Sequence, residues 1–431
     1  MKRKEFIKKG ALAAAGSFVV PYILPSGRLF AATGSRKANH VVFCLFAGGV
    51  RNIESMQKAE GNLMPNMLTG TESISPDIAP GMTALPSPAS TKLQSLGTLY
   101  KDFRYATGPT GHYNGHTTAI TGKYTNESIQ IKQPPKYPTV FEYYRKHNSP
   151  SKSALNAWWV SDSLGPYPYL NYSSYSGYGA AYGGNMIQPM TIFNPQTNSV
   201  IANPVSLSAS DAQKCDLLRQ FADGQFKAPS EALSNGIVNT PADREHLQTF
   251  LRTMISDVAA GVYNNPWGVN MNNDMLNVFF GTKIIQEFKP ELMVINMQGI
   301  DIGHFEFTKY VNNIRLADFA LYKLWQAIQS TPGMANDTIL IVAPEHGRNL
   351  QPNSVIDIYG RYAIDHTNDE MSRKIFCLIA GPPGVVKQGQ VFNNPYGESV
   401  DIVPTIAHIL GFDNEMPLGL TDGRVLTEAF N

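Results

Sequence analysis

Short, continuous apolar runs separated by amphipathic stretches constrain the fold of this 431-residue chain more than any other feature of its sequence. Four such runs are His40 to Phe46, Leu292 to Met297, Thr338 to Ala343 and Ile375 to Ala380. Apolar runs without polar alternation are typical of strands that are buried on both faces of a sheet. Because these runs alternate with helical patterns, the sequence predicts an α/β fold: a three-layer α/β/α sandwich with helices on both faces of a mostly parallel central sheet.

The rest of the pattern predicts further elements around these strands. Phe103 to Thr107 and Leu155 to Val160 have the composition of extended segments. The predicted helices are Leu93 to Tyr100, Gly115 to Thr121, Thr139 to His147, Met271 to Phe288, Phe307 to Gln329 and Ile402 to Leu410.

The stretch 161–290 differs in composition and predicts a cap inserted into a single domain over 35–431. It opens with tyrosines among glycine, proline and serine, and polar helices are predicted at Ala212 to Phe221 and Ala242 to Val262. Tyrosine-rich loops bind sugars and other ligands, but they also pack well on a protein surface. Two interpretations therefore stay open, a cap that selects a ligand and a surface excursion without function.

Residues 1–34 predict an export signal peptide. Basic residues at 2–4 precede an apolar run from Gly10 to Pro25, which is shorter than the roughly 20 residues that cross a bilayer. Residues 3–8 resemble a twin-arginine signal in which a lysine replaces the second arginine. We therefore expect the twin-arginine or general export machinery as a partner and a periplasmic or otherwise extracytoplasmic location. An uncleaved run that tethers the domain to the membrane is the alternative.

Charge and cysteine content exclude other classes of protein. The chain has 35 Lys and Arg residues against 34 Asp and Glu residues, so no net field favours nucleic acid as a partner. Its 3 cysteines are widely spaced, and a disulfide framework is not expected. Recognition of an anion must therefore be local.

Three pairs of a carboxylate and a histidine stand beside predicted strand ends, where ligands gather in parallel α/β sheets. The pairs are Asp301 with His304, Glu345 with His346, and Asp365 with His366. Histidine nitrogen and carboxylate oxygen are ligands of zinc and similar ions, and a catalytic ion keeps one position open. One pair alone would indicate a surface ion pair or a helix cap. The set predicts one or two divalent metal ions, with zinc favoured and calcium or manganese as alternatives.

A fourth candidate site is the loop that runs from Thr107 into the helix before Gly122. The first amides of a helix are unpaired and attract anions. Asn114 and His116 are therefore predicted to bind phosphate or sulfate. The alternative is that Asn114 caps the helix and that His112 and His116 pack against neighbouring loops.

Four stretches carry a resemblance to a known superfamily: "TTAITGKY" from Thr117, "DIGH" from Asp301, "PEHGR" from Pro344 and "DIVPTIAHILG" from Asp401. With them the chain resembles the alkaline phosphatase and sulfatase superfamily over most of 39–412 outside the cap. It is most similar to an exported sulfatase-like branch with a GG first strand and SEFGR-like and DHG-like motifs. The resemblance implies an alkaline-phosphatase-like fold and hydrolysis of phosphate or sulfate esters.

The resemblance also implies two groups of metal ligands. One ion is implied at Asp301, His304 and His366. A second is implied at Glu345 and His346, with glutamate in place of the usual aspartate.

Two positions depart from the superfamily. Ala47 and the glycines after it offer no carboxylate at the end of the first strand, and His112 stands where a Thr, Ser or Cys nucleophile is usual. The Cys/Ser-x-Pro-x-Arg sequence of formylglycine sulfatases is also absent. We therefore expect metal-activated water as the nucleophile, with a phosphohistidine at His112 as the alternative.

This chemistry assigns three catalytic residues. Glu345 ligates metal or acts as a general base, and His112 ligates metal or protonates the leaving group. Arg348 clamps the oxygens of the anion or forms a structural salt bridge. We expect a small-molecule, glycan or lipid ester as substrate. The rival hypothesis is a protein that binds metal, an oxyanion or a glycan without turnover.

Overall fold

One sheet of eight strands organises the part of the chain that the computed structural model describes, which comprises residues 35–56, 81–86, 91–127, 134–148, 153–162, 170–190, 237 and 239–431. The strands are β1 (His40–Phe46), β2 (Gly97–Arg104), β3 (Ala157–Val160), β4 (Asn185–Ile187), β5 (Leu292–Met297), β6 (Thr338–Pro344), β7 (Lys374–Ala380) and β8 (Gln390–Glu398). Their order across the sheet is β4-β3-β5-β1-β6-β7-β2-β8.

All strands of this sheet but one run in the same direction. β1 is parallel to β5 and β6, β3 is parallel to β4 and β5, and β2 is parallel to β8. β7 is antiparallel to both of its neighbours, β6 and β2. The prediction of a mostly parallel sheet is confirmed. The reversal of β7 also places its first residues at the edge where the other strands end.

Helices cover both faces of the sheet. They are α1 (Asn52–Ser55), α2 (His112–Thr121), α3 (Val140–Tyr143), α4 (Pro241–Ala259), α5 (Asn273–Phe288), α6 (Phe307–Ser330) and α7 (Ile402–Leu410). Successive residues of a strand point to opposite faces. Val42 and Cys44 of β1 pack in one core with α4, α5 and α6, whereas Val41 and Phe43 pack in another with α2, α3 and α7. These two cores confirm the three-layer sandwich.

One predicted helix is wrong, the one over Leu93 to Tyr100. A short 3-10 helix, Leu93–Leu96, leads into β2, which begins at Gly97. β2 pairs with β7 on one side and with β8 on the other. These partners are distant in sequence, and their pairing overrides the local helical pattern. α2 also begins earlier than predicted, at His112.

The stretch 161–290 is described only in part. Residues 163–169, 191–236 and 238 lie outside the described residues, and with them the predicted helix Ala212 to Phe221. In the described part, β4 extends the sheet and α5 packs in the core that contains β5. The tyrosine-rich segment is held by Glu142 of α3, which accepts hydrogen bonds from Ser173 Oγ (2.8 Å) and the Gly179 amide (2.6 Å). The limits and role of a cap stay predictions.

The N-terminal 34 residues lie outside the described residues, so the export signal stays a prediction. Among the described helices, none combines the length and the hydropathy that a membrane span requires. Cys44 and Cys377 are buried, free thiols within β1 and β7.

Candidate metal centre

Chain segments far apart in sequence meet at the edge where the parallel strands end. After β5, a 3-10 helix over Gly299–His304 carries Asp301 and His304. Glu345 and His346 follow β6 directly. α2 contributes its first residue, His112.

His366 reaches this edge because β7 is antiparallel to β6. The chain leaves β6 at this edge and enters β7 from the same edge, so the connection 345–373 never crosses the sheet. A parallel β7 would have required a crossover to the opposite edge. The pair Asp365 and His366, which lies within this connection, therefore stays beside the strand ends.

Asp301 is the common contact of the first group of ligands, which we call the open cluster: His112, Asp301, His304 and His366. Its Oδ1 lies 3.1 Å from His112 Nε2, 3.3 Å from His304 Nε2 and 3.8 Å from His366 Nε2. One ligand atom from each residue lies within 4.8 Å of the others. The Asp301 side chain is 43% exposed, so small molecules can reach this cluster.

Glu345 is the centre of the second group, which we call the buried cluster: His112, Glu345 and His346. Glu345 Oε1 lies 2.7 Å from His112 Nδ1 and 3.3 Å from His346 Nε2. The amide of Gly48 donates to the same oxygen at 2.5 Å. Because a buried carboxylate is costly without partners, the contacts with the Gly48 amide and with His112 Nδ1 stabilise Glu345 in the interior.

Acceptors outside the clusters fix the ring orientation of three histidines. His304 Nδ1 lies 2.6 Å from Asp365 Oδ1, His366 Nδ1 lies 2.5 Å from the Thr110 carbonyl, and His346 Nδ1 lies 2.8 Å from the Gly347 carbonyl. A neutral imidazole carries one hydrogen, and an acceptor beside one nitrogen selects the tautomer. Each Nδ1 therefore carries the hydrogen, and each Nε2 presents a lone pair to a cluster.

These lone pairs have no suitable protein partner among the described residues. His304 Nε2 and His366 Nε2 face each other at 2.9 Å, where two lone pairs repel. The buried Nε2 of His346 lacks a hydrogen-bond partner. Outer acceptors orient histidine rings in this way at metal sites. The donor set therefore fits divalent metal ions at both clusters.

The electrostatics of the centre favour charged carboxylates. Burial alone would raise the pKa of Asp301, but its contacts with the rings of His112, His304 and His366 hold that pKa well below its usual value. Burial likewise opposes ionisation of Glu345, and the neighbouring histidines outweigh it and lower the pKa. Burial would lower the pKa of His112, but Glu345 and Asp301 outweigh it and raise the pKa to about 10.

His346 and His366 are shifted the other way. Burial lowers the pKa of both rings, and the charge of His112 lowers it further. Glu345 opposes this shift at His346, and Asp301 opposes it at His366. Neutral imidazole is the form that binds metal. These two rings are therefore held in the ligand form at neutral pH.

The two residues predicted to bind an anion lie behind the clusters. His116 is 3% exposed; its Nδ1 contacts Glu345 Oε2, and its Nε2 lies 3.0 Å from Asn296 Oδ1. Asn114 is fully buried, and its Nδ2 donates to two backbone carbonyls beyond the end of α2. In this geometry His116 orients Glu345, and Asn114 fixes the segment that follows α2.

Arg348 and Asp365 act on the ligands from outside the clusters. Arg348 is fully buried and donates to Asp301 Oδ1 at 2.9 Å and to the carbonyls of Gly49 and Ile364 at 3.1 and 2.6 Å. Its planar fork therefore holds Asp301 in position. Asp365 belongs to neither cluster and orients His304.

The glycines after β1 explain why this strand end carries no carboxylate. Gly48 has φ +97°, and a Cβ there would lie 2.3 Å from the Asp301 amide nitrogen. No side chain fits between the ends of β1 and β5. The backbone amide of Gly48 instead contacts Glu345.

Asn296 is a site residue that the sequence patterns missed. It links His116 to Ser161, because its Oδ1 faces His116 and its Nδ2 donates to Ser161 Oγ at 3.1 Å. The available signal was a single polar residue inside the apolar run of β5. Gly48 contributes a backbone amide to the site, and a backbone amide cannot be recognised from the type of residue in the sequence.

Comparisons with known proteins show the fold of this chain. The solved structure of alkaline phosphatase PafA matches 93% of this chain and 100% of its own, with 11% identity and a TM-score of 0.51. A phosphonate monoester hydrolase from Silicibacter pomeroyi matches 90% of this chain and 76% of its own, with 16% identity and a TM-score of 0.43. A 2-O GAG sulfatase matches 90% and 73%, with 11% identity and a TM-score of 0.44. No protein-family model and no curated protein matches the sequence. The likeness to PafA shows an alkaline-phosphatase-like fold.

Proposed function

We propose that the chain is an exported, metal-dependent hydrolase of phosphate or sulfate esters, of the exported sulfatase-like kind that its motifs resemble. The observation that carries the proposal is the convergence of three oriented histidines on two carboxylates: His304, His346 and His366 with Asp301 and Glu345. They meet at the strand-end edge of an alkaline-phosphatase-like sheet, where ligands bind in parallel α/β folds.

The ligand set suits one or two divalent ions, with zinc first and calcium or manganese as alternatives. Asp301, His304 and His366 would hold an ion in the open cluster, and Glu345 and His346 would hold one in the buried cluster. When bound, such an ion supplies Lewis acidity, which polarises an ester oxygen and acidifies water.

The surrounding residues orient these ligands and balance their charge. Glu345 is fully buried and contacts Gly48, His112 and His116 through its two oxygens, which favours a ligand over a general base. His112, with its side chain 19% exposed, also borders the open cluster, where it ligates metal or protonates the leaving-group oxygen. Arg348 acts as a positioning residue for Asp301.

The accessible side of the centre supports entry of a substrate at the open cluster. Asp301 is the most exposed ligand, so an anionic ester of a small molecule, glycan or lipid would enter at the open cluster. Selection of that substrate by a cap over 161–290, and export by the signal in residues 1–34, belong to the same proposal and rest on the sequence.

A second candidate function is binding without turnover. Its support is a pair of departures from the superfamily: His112 stands where a hydroxyl or thiol nucleophile is expected, and Ala47 and the glycines after it offer no carboxylate at the end of the first strand. A site of this kind would hold metal and an oxyanion without cleaving an ester.

Turnover by the purified mature chain separates the two candidates. Bound metal is measured first, and then hydrolysis of phosphomonoester, phosphodiester and sulfate ester chromogens with and without chelator. The proposal expects turnover of at least one class, lost on chelation and restored by metal. His304→Ala should lose it, whereas His246→Ala, an exposed histidine paired with Glu287, should retain it. Bound metal without turnover of any class favours the binding function, and a chain that holds no metal contradicts both.

A further inference from the structure

His112 is the one residue that belongs to both metal-ligand clusters of the described residues, and it enters them through different nitrogens. Its Nε2 lies 3.1 Å from Asp301 Oδ1 in the open cluster. Its Nδ1 lies 2.7 Å from Glu345 Oε1 in the buried cluster. The ring therefore lies between the two groups of ligands.

The position of this ring is fixed from both sides. Its centroid lies 4.6 Å from that of His366 and 5.4 Å from that of His346. Behind it, α2 packs against the end of β6 at Gly115, where a Cβ would lie 2.9 Å from Glu345 Cβ. His116, one turn further along α2, contacts Glu345 Oε2. The helix and the ligands thus form one packed unit.

The buried cluster needs this ring to complete its ligands. Glu345 and His346 supply only two, and structural or catalytic zinc takes at least three from the protein. The end of β1 cannot supply another, because Gly48 has no room for a side chain beside Asp301. His112 Nδ1 is the remaining donor that the described residues place there.

Charge balance favours the same arrangement. Two divalent ions bring four positive charges to a centre whose clusters contain one carboxylate each, Asp301 and Glu345. An imidazolate that binds metal through both nitrogens adds a negative charge at the midpoint between the ions. Filling both positions breaks only the N–H bonds of the ring and releases those protons to solvent.

We propose that His112 bridges two metal ions, with Nε2 on the ion of the open cluster and Nδ1 on the ion of the buried cluster. This inference rests on the metal binding of the proposed function and selects ligation over protonation as the role of His112. His112 would then hold metal through both nitrogens, and its ring would be available neither as a nucleophile nor as a proton donor.

Copper(II) loading of the full mature chain tests the bridge, because an imidazolate couples the spins of two copper ions. We expect two copper ions per chain by elemental analysis and an electron paramagnetic resonance intensity well below that of two isolated spins. His304→Ala should remove the ion of the open cluster, and His346→Ala that of the buried cluster. Each variant should then hold one copper with full signal intensity.

His112→Ala should lower the affinity of the chain for both copper ions. Each affinity should fall by more than the roughly 10–100-fold that is typical when a residue that only orients a ligand is lost. His246→Ala is the matched control and should keep two coupled ions. Two results would overturn the bridge. One is a parent chain that binds two copper ions with the signal intensity of isolated spins. The other is a His112→Ala variant that binds either ion as tightly as the parent chain does. Because the parent chain gives the spin readout, the result does not depend on folding of the variant. Ester hydrolysis with uncoupled ions overturns the bridge alone, whereas a coupled pair without hydrolysis overturns the proposed function alone.

Discussion

Glu345 shows how single residues determine the chemistry of this centre. Its carboxylate is fully buried, and its contacts are the Gly48 amide and the imidazoles of His112, His116 and His346. A charge is tolerated in the interior only where such partners replace water. The three imidazoles hold the pKa of Glu345 below its usual value against the effect of burial. These partners therefore favour the anionic form of Glu345, which is the form that the proposed metal binding requires.

Glu345→Gln should abolish the buried cluster while keeping the shape of the side chain. The amide supplies no charge, and its NH2 group would face other donors. We expect metal affinity and ester turnover to fall by about 100-fold or more. Elemental analysis and steady-state kinetics measure these effects. Glu291→Gln is the control: Glu291 is also a buried glutamate and is paired with Arg36, but it precedes β5 at the opposite edge, so turnover should be unchanged.

Arg348→Lys should destabilise the fold by roughly 2–4 kcal/mol, because an ammonium group cannot satisfy the carbonyls of Gly49 and Ile364 together with Asp301. Denaturant unfolding measures the cost. Arg424→Lys is the matched surface change, because the Arg424 side chain is 48% exposed in its pair with Glu428, and it should cost less than about 1 kcal/mol. Equal losses for the two variants would contradict the positioning role of Arg348.

At the scale of elements, α2 and the ends of the strands position the side chains of the two clusters. α2 begins at His112 and turns Gly115 and His116 toward Glu345. Because Gly115 has no side chain, the backbone of α2 approaches the end of β6 closely. The imidazoles of His112 and His116 therefore reach the carboxylate of Glu345. The helix therefore sets the distance between the ligands that it carries and those that follow β6.

Gly115→Ala tests this close approach. Alanine usually stabilises a helix by about 1 kcal/mol relative to glycine. Here the new Cβ would lie 2.9 Å from Glu345 Cβ and 3.0 Å from its carbonyl oxygen, so backbone must move. We expect a net loss of roughly 1–3 kcal/mol and reduced turnover, measured by thermal unfolding and kinetics. Gly384→Ala, where no atom lies within 4 Å, should stay within about 0.5 kcal/mol. A stabilised, fully active Gly115→Ala protein would show that the packing is looser.

At the scale of the whole molecule, the direction of β7 decides where the centre forms. Parallel strands bring the ends of β1, β5 and β6 to one edge, and the reversed β7 keeps the connection with His366 at that edge. Helices on both faces bury the sheet and hold these ends in register. The clusters are therefore a product of the complete sandwich.

Metal removal should lower the stability of the entire domain. Ions that bind only the folded chain stabilise it by RT ln(1 + [L]/Kd), which is about 4 kcal/mol when free metal is 1,000 times Kd. We expect chelation to lower the unfolding temperature by several degrees, as measured by calorimetry, and added metal to restore it. A His304→Ala/Glu345→Gln double variant should show no effect of the chelator. An unfolding temperature that chelation leaves unchanged in the parent chain would contradict metal binding.

The pH dependence of folding should carry the signature of Asp274, a buried residue of α5. Burial raises its pKa to about 7, although the Gly299 and Gln298 amides oppose the rise. Well below pH 4 the carboxyl is protonated in both states, because an unfolded aspartate has a pKa of about 3.9. As the pH rises toward 7, the unfolded chain ionises it while the folded chain keeps its proton, so stability falls.

Asp274→Asn should remove this component in metal-free protein. The unfolding free energy of the parent, relative to that of the variant, should decrease between pH 4 and 7. The decrease should reach up to about 4 kcal/mol, at 1.36 kcal/mol per pKa unit. Unfolding free energies of both proteins across this range measure the difference. A difference that is constant with pH would show that Asp274 ionises normally in the folded chain.

The sequence by itself determined the layers and the candidate ligands. Continuous apolar runs have one stable place, the centre of a covered sheet, and β5 has the bounds that its pattern predicted. The covering helix α7 also has its predicted bounds. Polar residues directly after such runs, such as Asp301 and Glu345, must then lie at a sheet edge. These conclusions need only local periodicity and the cost of burying polar groups.

Only the tertiary structure decided which residues meet. β2 pairs with β7, which is distant in the chain, and this pairing fixes its register. The local pattern of Leu93 to Tyr100 therefore predicted a helix where the structure has a strand. The contact of His112 with both clusters, the amide of Gly48 beside Glu345 and the role of Asn296 depend on distances between separate elements. Local patterns carry no information on such distances, because packing of the whole sandwich fixes them.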